Sequence, residues 1–288
     1  MTDSTNVDFA DDLLDWSPGE DDFSGYPEGL AANDTSDAIA SLEGSRDFPN
    51  HLWIDPRDWK EIARQNDKYE TWPDDYRNRW TNQTPTHECT CHALVQNCEI
   101  ATNRQREGAG LAVYLSPLSV YAEANPRRWG GSYMQKTLGI AINRGILPEH
   151  NGPSGVGEQK GMFSHTLNCS SGSKSPWGGP WVSLRNFPTG WRETAKHYRP
   201  LEVCNPRTWE QIVCLLLNGY AVSVGRSGHA IPYTGVVWRG NNLYAKYADS
   251  YEVHRYDSMR MIKSAVGGAY SIMTMAAPDD WSLPGGMK

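Results

Sequence analysis

The stretch NQTPTHECTCHAL, residues 82 to 94, holds two cysteines, two histidines, a glutamine and a glutamate. Two chemistries suit such a cluster. In the first, His87, Cys89, Cys91, His92 and Cys98 supply nitrogen and sulfur ligands to a metal ion. Structural zinc sites, however, pair ligands two to four residues apart in two separated knuckles that close a tetrahedron. Here the ligands crowd together, Cys91 and His92 are consecutive, and no second Cys-x-x-Cys or His-x-x-x-His pair follows. In the second chemistry one cysteine is a nucleophile. A thiol attacks as thiolate, and the unpaired N–H groups at a helix N-terminus favour that negative form. It then needs a base to share its proton, a third group to orient the base, and a donor for the oxyanion formed at an attacked acyl carbon.

The elements that position these groups can be read from periodicity. Ala93, Leu94, Val95, Cys98 and Ala101 recur at helical spacing up to Gly108, so a helix begins near Cys89. A second follows Ser116 as N-cap with Pro117 at its first position. A third is capped by Ser132, carries the stripe Met134, Leu138, Ala141 and Ile142, and stops at Gly145. Residues 151–190, rich in Gly, Ser and Pro, read as long loops. A fourth helix is predicted with Asn205 as cap, Pro206 at its start and Gly219 at its end. The texture then changes to strands in YAVSVG, HAIPYTGVVW and LYAKYADSY. Helices first and strands second make an α+β protein.

The base and its orienter come from that second half. His229 opens one strand and Asp249 closes the next, with Arg239 to Asn242 as the turn. In a regular hairpin centred on Gly240 and Asn241, His229 faces residue 252. Asp249 then lies three places away, and a bulge or a bend would bring the two side chains together.

Composition bounds the rest. Residues 1–50 contain thirteen Asp or Glu and one Arg, a net −12 against −7 for the whole chain, which leaves +5 on the remainder. The acidic segment reads as a solvated tail or a surface that docks on a protein partner. A body without a basic run gives no reason to invoke nucleic acid, and no apolar run is long enough to span a bilayer. The N-terminus is acidic where a secretory signal is basic and then apolar. The expectation is therefore a reducing, non-secreted setting, cytoplasmic or within a virus particle, in which the six cysteines need not be paired.

These residues together resemble the papain-like cysteine peptidases. Gln83 stands six positions before Cys89, and N-Q-x5-C-T-x-x-A is similar to the N-Q-G-x4-C-V-x-x-A of divergent members. WPDDYRNRWTNQ resembles the entry segment, LSPLSVY the L-S-x-x-x-L segment, and WGGSYMQKTLGIAINRGILPE the Gly-Gly motif and helix. GHAIPYTGV resembles the G-H-A-V strand, and YAKYADSYE the K-N-S-W-G segment, in the same order. The resemblance implies a two-lobed papain-like domain over residues 51–288. Its helical lobe would span about 73–150, a loop-rich connection 151–199, and an antiparallel β lobe about 200–288, with a cleft between the lobes. It implies Cys89 as nucleophile, His229 as base, Asp249 as orienter and Gln83 as oxyanion donor. Gly130 and Gly131 would admit an extended polypeptide substrate, and neither cofactor nor metal is implied.

The departures are specific. Thr84 and Pro85 replace flexible residues, Thr90 replaces the bulky aromatic after the nucleophile, Asp249 replaces an Asn, and Tyr251-Glu252 replaces Trp-Gly. Cys91 is the alternative nucleophile, because Cys91-His92-Ala93-Leu94 mimics Cys-Trp-Ala-Phe. Two other functions are compatible with the resemblance. One is a papain-fold structural or binding component, such as a virus or phage particle protein. The other is a cell-wall amidase or endopeptidase.

Overall fold

Two separate sets of apolar side chains leave the solvent, and each builds a lobe. The computed structural model describes residues 39–68, 88–105, 115–124, 131–148, 169–174, 180–182, 190–226, 228–250 and 253–276. One set, including Leu94, Leu118, Met134, Leu138 and Tyr198, lies among helices. The other, including Trp59, Ile212, Leu216, Ile231 and Tyr247, lies against a sheet.

The helical lobe is built on α2 (Cys89–Gln105), flanked by α3 (Pro117–Ala124), α4 (Met134–Arg144) and the short α5 (Trp191–Ala195). Helix α2 begins at the expected residue. It is buried on all sides from Cys89 to Asn103, not along one stripe. Its polar residues tolerate this because they are bonded: Glu99 Oε1 accepts from the Leu115 N–H at 2.7 Å, and Thr102 Oγ1 donates to the Cys98 carbonyl at 2.8 Å. At α3 the predicted cap forms, Ser116 Oγ accepting from the Ser119 N–H at 3.4 Å. Gly145 ends α4 at φ 78°, where a Cβ would fall 1.8 Å from the Ala195 carbonyl oxygen.

Two caps differ from expectation. The N-cap of α4 is Tyr133, still extended, so the buried Ser132 lies one residue too early. Asn205 does not cap the fourth helix. It is the last residue of strand β4 (Arg199–Asn205), held extended by pairing with Asp47, and α6 (Trp209–Leu217) is capped by Thr208, whose hydroxyl accepts from Gln211 N–H at 3.3 Å. A helix not read from sequence, α1 (Trp59–Lys68), packs Trp59 edge-on against Trp209 with ring centroids 5.5 Å apart. Too few of its positions are apolar to reveal a stripe.

The strands form three sheets. Strand β1 (Ser45–Asp47) runs parallel to β4, which pairs antiparallel with β9 (Ser271–Ala276). Ser45–Asp47 thus belongs to the folded body although it lies inside the segment distinguished by its acidity. Strands β2 (Cys169–Lys174) and β3 (Pro180–Val182) form a hairpin within the stretch read as loops. The third sheet is an antiparallel meander of β5 (Val222–Arg226), β6 (His229–Arg239), β7 (Asn242–Asp249) and β8 (Val253–Ser258), followed by α7 (Met259–Ser264). Among the described residues, no helix is long and apolar enough to cross a membrane.

Helix α2 is the element both lobes share, and Asn97 ties it to the strands. Its amide nitrogen donates to Ser223 Oγ at 3.1 Å and to the Tyr270 carbonyl at 3.3 Å, while its oxygen accepts from the Ile272 N–H at 3.1 Å. Ser223 Oγ in turn donates to the Ala93 carbonyl at 2.9 Å. Truncating Asn97 orphans buried groups on two strands, at about 1–3 kcal/mol each. Asn97→Ala is expected to lower unfolding free energy by at least about 2 kcal/mol in denaturant titration, against less than about 0.5 kcal/mol for an exposed control substitution.

Candidate active site

Cys89 opens α2, with Glu88 just outside it: the Glu88 carbonyl accepts from the N–H groups of Cys91 at 2.9 Å and His92 at 3.0 Å. The N–H of Cys89 lies in the first turn, where no intrahelical acceptor exists, and the sulfur sits at the positive end of a seventeen-residue helix. Here the helix geometry offers stabilisation to negative charge on the sulfur and on an oxyanion beside it.

His229 and Asp249 come from the other lobe, and their meeting depends on one irregularity. Pairing of β6 with β7 runs regularly from Arg239↔Asn242 to Gly235↔Lys246 and resumes at Tyr233↔Tyr247, so Thr234 is an extra residue. Without this bulge His229 would stand opposite residue 252, an odd number of places from Asp249 and on the opposite face. The bulge shifts the register by one, so that Tyr233, on the face of His229, pairs with Tyr247. Asp249 is then two places away on the same face. Of the bulge or bend expected, the chain uses the bulge. His229 Nε2 lies 3.1 Å from Asp249 Oδ1.

The His229 ring also interacts with the side chain of Cys89. Cys89, His229 and Asp249 are all buried, and Ser250 Oγ donates to Asp249 Oδ1 at 3.5 Å. Burial opposes charge on the imidazole. The hydrogen bond to Asp249 and the interaction with Cys89 outweigh it and raise the His229 pKa from 6.5 to about 9. The ring is thus set between a carboxylate and a sulfur, both of which favour its cationic form.

The other cysteines differ. Burial, then the charge of Glu88, pushes the Cys91 thiol well up, and the Thr90 hydroxyl offsets this only in part. Burial likewise raises Cys98, Cys214 and Cys204, the last to about 12. The thiol of the alternative nucleophile, Cys91, is therefore not readily ionised. Sequence reasoning missed a neighbour of this turn: Glu88 Oε1 lies 3.6 Å from His92 Nε2, one helical turn on, both buried. The spacing i to i+4 was its only signal.

Gly131 is half-buried just ahead of α4. Gln83 and Gly130 lie outside the described residues, as do the entry segment, His87, Trp177, Tyr251 and Glu252. Cys89, Cys91, His92 and Cys98 all sit on one helix, and among the described residues no group of three or more His, Cys, Asp or Glu side chains could hold a metal ion.

With this geometry in place, comparison with solved structures identifies the architecture. The chain superposes on the procathepsin B S9 of Trypanosoma congolense with a TM-score of 0.53, 14% identity and 86% of each chain covered. It superposes on the digestive procathepsin L2 proteinase of the Tenebrio molitor larval midgut with a TM-score of 0.52 and 12% identity, covering 91% of this chain and 82% of that one. No protein-family profile matches the sequence, and no curated protein resembles it by sequence. The fold is therefore the papain-like α+β fold, with two lobes. Neither structure supports a viral or phage source.

A histidine whose pKa is raised contributes stability that is full below its ordinary value near 6.5 and is lost as pH climbs through the raised one. Asp249→Asn keeps a hydrogen-bond acceptor and removes the charge. The loss of stability, which runs from about 6.5 to about 9 in the parent, is expected to end closer to 6.5 in the variant. Denaturant midpoints between about pH 6 and 10 check this; superimposable profiles would contradict it.

Proposed function

We propose that the chain is a cysteine peptidase that cleaves peptide bonds through an acyl-enzyme on Cys89. One observation carries the reading: a buried imidazole from one lobe is hydrogen-bonded to a carboxylate and interacts with the side chain of a cysteine that opens a buried helix of the other lobe. Nothing in a structural core requires that juxtaposition, which costs desolvation of three ionisable groups.

The reaction follows from the protonation states. Proton transfer from sulfur to His229 Nδ1 gives a thiolate–imidazolium pair whose titration belongs to both groups. The thiolate attacks the acyl carbon of the scissile bond, and the carbonyl oxygen gains the negative charge. The Cys89 N–H at the helix start is positioned to donate to it, with the Gln83 amide as second donor on the family resemblance. The imidazolium then protonates the leaving amine as the C–N bond breaks, leaving a thioester and a neutral ring. That ring removes a proton from water, hydroxide attacks the thioester, and the thiolate is expelled. Asp249 holds the ring through Nε2 and stabilises its cationic form throughout, without taking the proton. Gly131 and Gly130 supply backbone to an extended substrate on the same resemblance.

The thiolate is the reactive species, so Cys89 is expected to outpace free thiols most strongly below their ordinary pKa of about 8.5. With a peptidyl epoxide at about pH 6, the parent and Cys91→Ala are expected to be modified at residue 89, and Cys89→Ala to resist modification. Slow, uniform labelling of all cysteines would favour a binding or structural role for the fold.

A further inference from the structure

A second buried ionic assembly lies beside the His–Asp pair. Arg226, the last residue of β5, stands directly opposite His229 in the β5–β6 pairing. Its guanidinium is buried, and Nη1 donates to both carboxylate oxygens of Asp257 on β8. Tyr233 on β6 donates its hydroxyl to Asp257 Oδ2 at 2.7 Å. The Arg226 guanidinium also lies over the ring of Tyr247 on β7, 5.6 Å from its centroid, and that ring tilts against Tyr233 at 6.1 Å.

One assembly thus joins all four strands of the meander, and its register is telling. Arg226 pairs with His229, Tyr233 with Tyr247, and Ala245 with Asp257. Asp249 is two residues beyond Tyr247 on the same strand. By alternation the assembly therefore shares one sheet face with the His229 and Asp249 positions. An apolar sheet face can slide or twist at its end at little cost. A buried cation paired with a carboxylate cannot, because leaving it strands a charge.

We infer that Arg226 is a positioning residue for the imidazole: anchored by Asp257 and Tyr233, it fixes the strand end bearing His229 against the strand end bearing Asp249. The inference deepens the peptidase reading and rests on it for the role of His229. It accounts for why a charged pair is retained where apolar side chains would fill the face. The buried Tyr233 hydroxyl, whose pKa burial pushes well up, remains a donor to Asp257 at any working pH.

The test uses the full chain, with the double variant R226M/D257N. Both charges are lost together, so the net charge near His229 is unchanged, and the amide introduced at position 257 still accepts from Tyr233. Any change in the His229 titration then reports geometry. In the parent, side-chain NMR is expected to place the His229 pKa near the value of about 9. In the variant it is expected to fall by about one unit or more, with Cys89 alkylation by iodoacetamide at about pH 6 slowed by about tenfold. A folded variant with an unchanged His229 titration overturns the inference. Should the double variant not fold, R226K decides: it keeps the cation and shortens the reach, and a lowered His229 pKa supports the inference while an unchanged one overturns it. Failure of the peptidase reading would look different, as a parent Cys89 no more reactive than a free thiol although His229 still titrates near 9.

Discussion

An imidazole held between a carboxylate and a thiol, all three out of water, is the interaction that the rest of the structure serves. Each group alone would be costly to bury. Together they exchange desolvation for a hydrogen bond and for charge that can be shared, which raises the pKa of the ring to about 9. The arrangement also requires two lobes. The thiol must sit where a helix begins, because only there do free N–H groups face a negative sulfur. The imidazole and carboxylate must sit at strand ends, because only neighbouring strands hold two side chains in one plane at a fixed distance.

Bringing elements of such different geometry to within a hydrogen bond depends on features remote from the sulfur. Asn97, more than two helical turns along α2, sets the helix against β5 and β9 with three hydrogen bonds. Thr234 supplies the single extra residue that turns Asp249 to the face of His229. Gly145 allows α4 to end where the Ala195 carbonyl would exclude any side chain. These constraints act through backbone position and register, so their effect on chemistry is one of distance.

Part of this was legible in the sequence, for identifiable reasons. Helix α2 begins at Cys89 because apolar periodicity starts there, and periodicity reflects which residues avoid water. The strands bearing His229 and Asp249 were legible from β-branched and aromatic runs separated by a Gly-Asn turn. Their mutual register was not, since a bulge moves one residue without any compositional mark; only the need for a bulge or a bend could be inferred. Asn205-Pro206 has the local form of a helix cap, but pairing with Asp47, far away in sequence, holds Asn205 in a strand instead. Arg226–Asp257 and Asn97 escaped for the opposite reason. Charged and amide residues read as surface in a pattern of polar and apolar letters, and only the folded chain supplies the partners that let them be buried.

The central claim is that Cys89 carries an acyl group during turnover, and stoichiometry tests it most directly. Mixing the chain with an activated p-nitrophenyl ester and following nitrophenol release in the first turnover is expected to give a burst of about one equivalent per chain, with the acyl mass on the peptide containing residue 89. Release without a burst, or acyl mass spread over other residues, would contradict the account and leave the papain-like fold without the chemistry assigned to it.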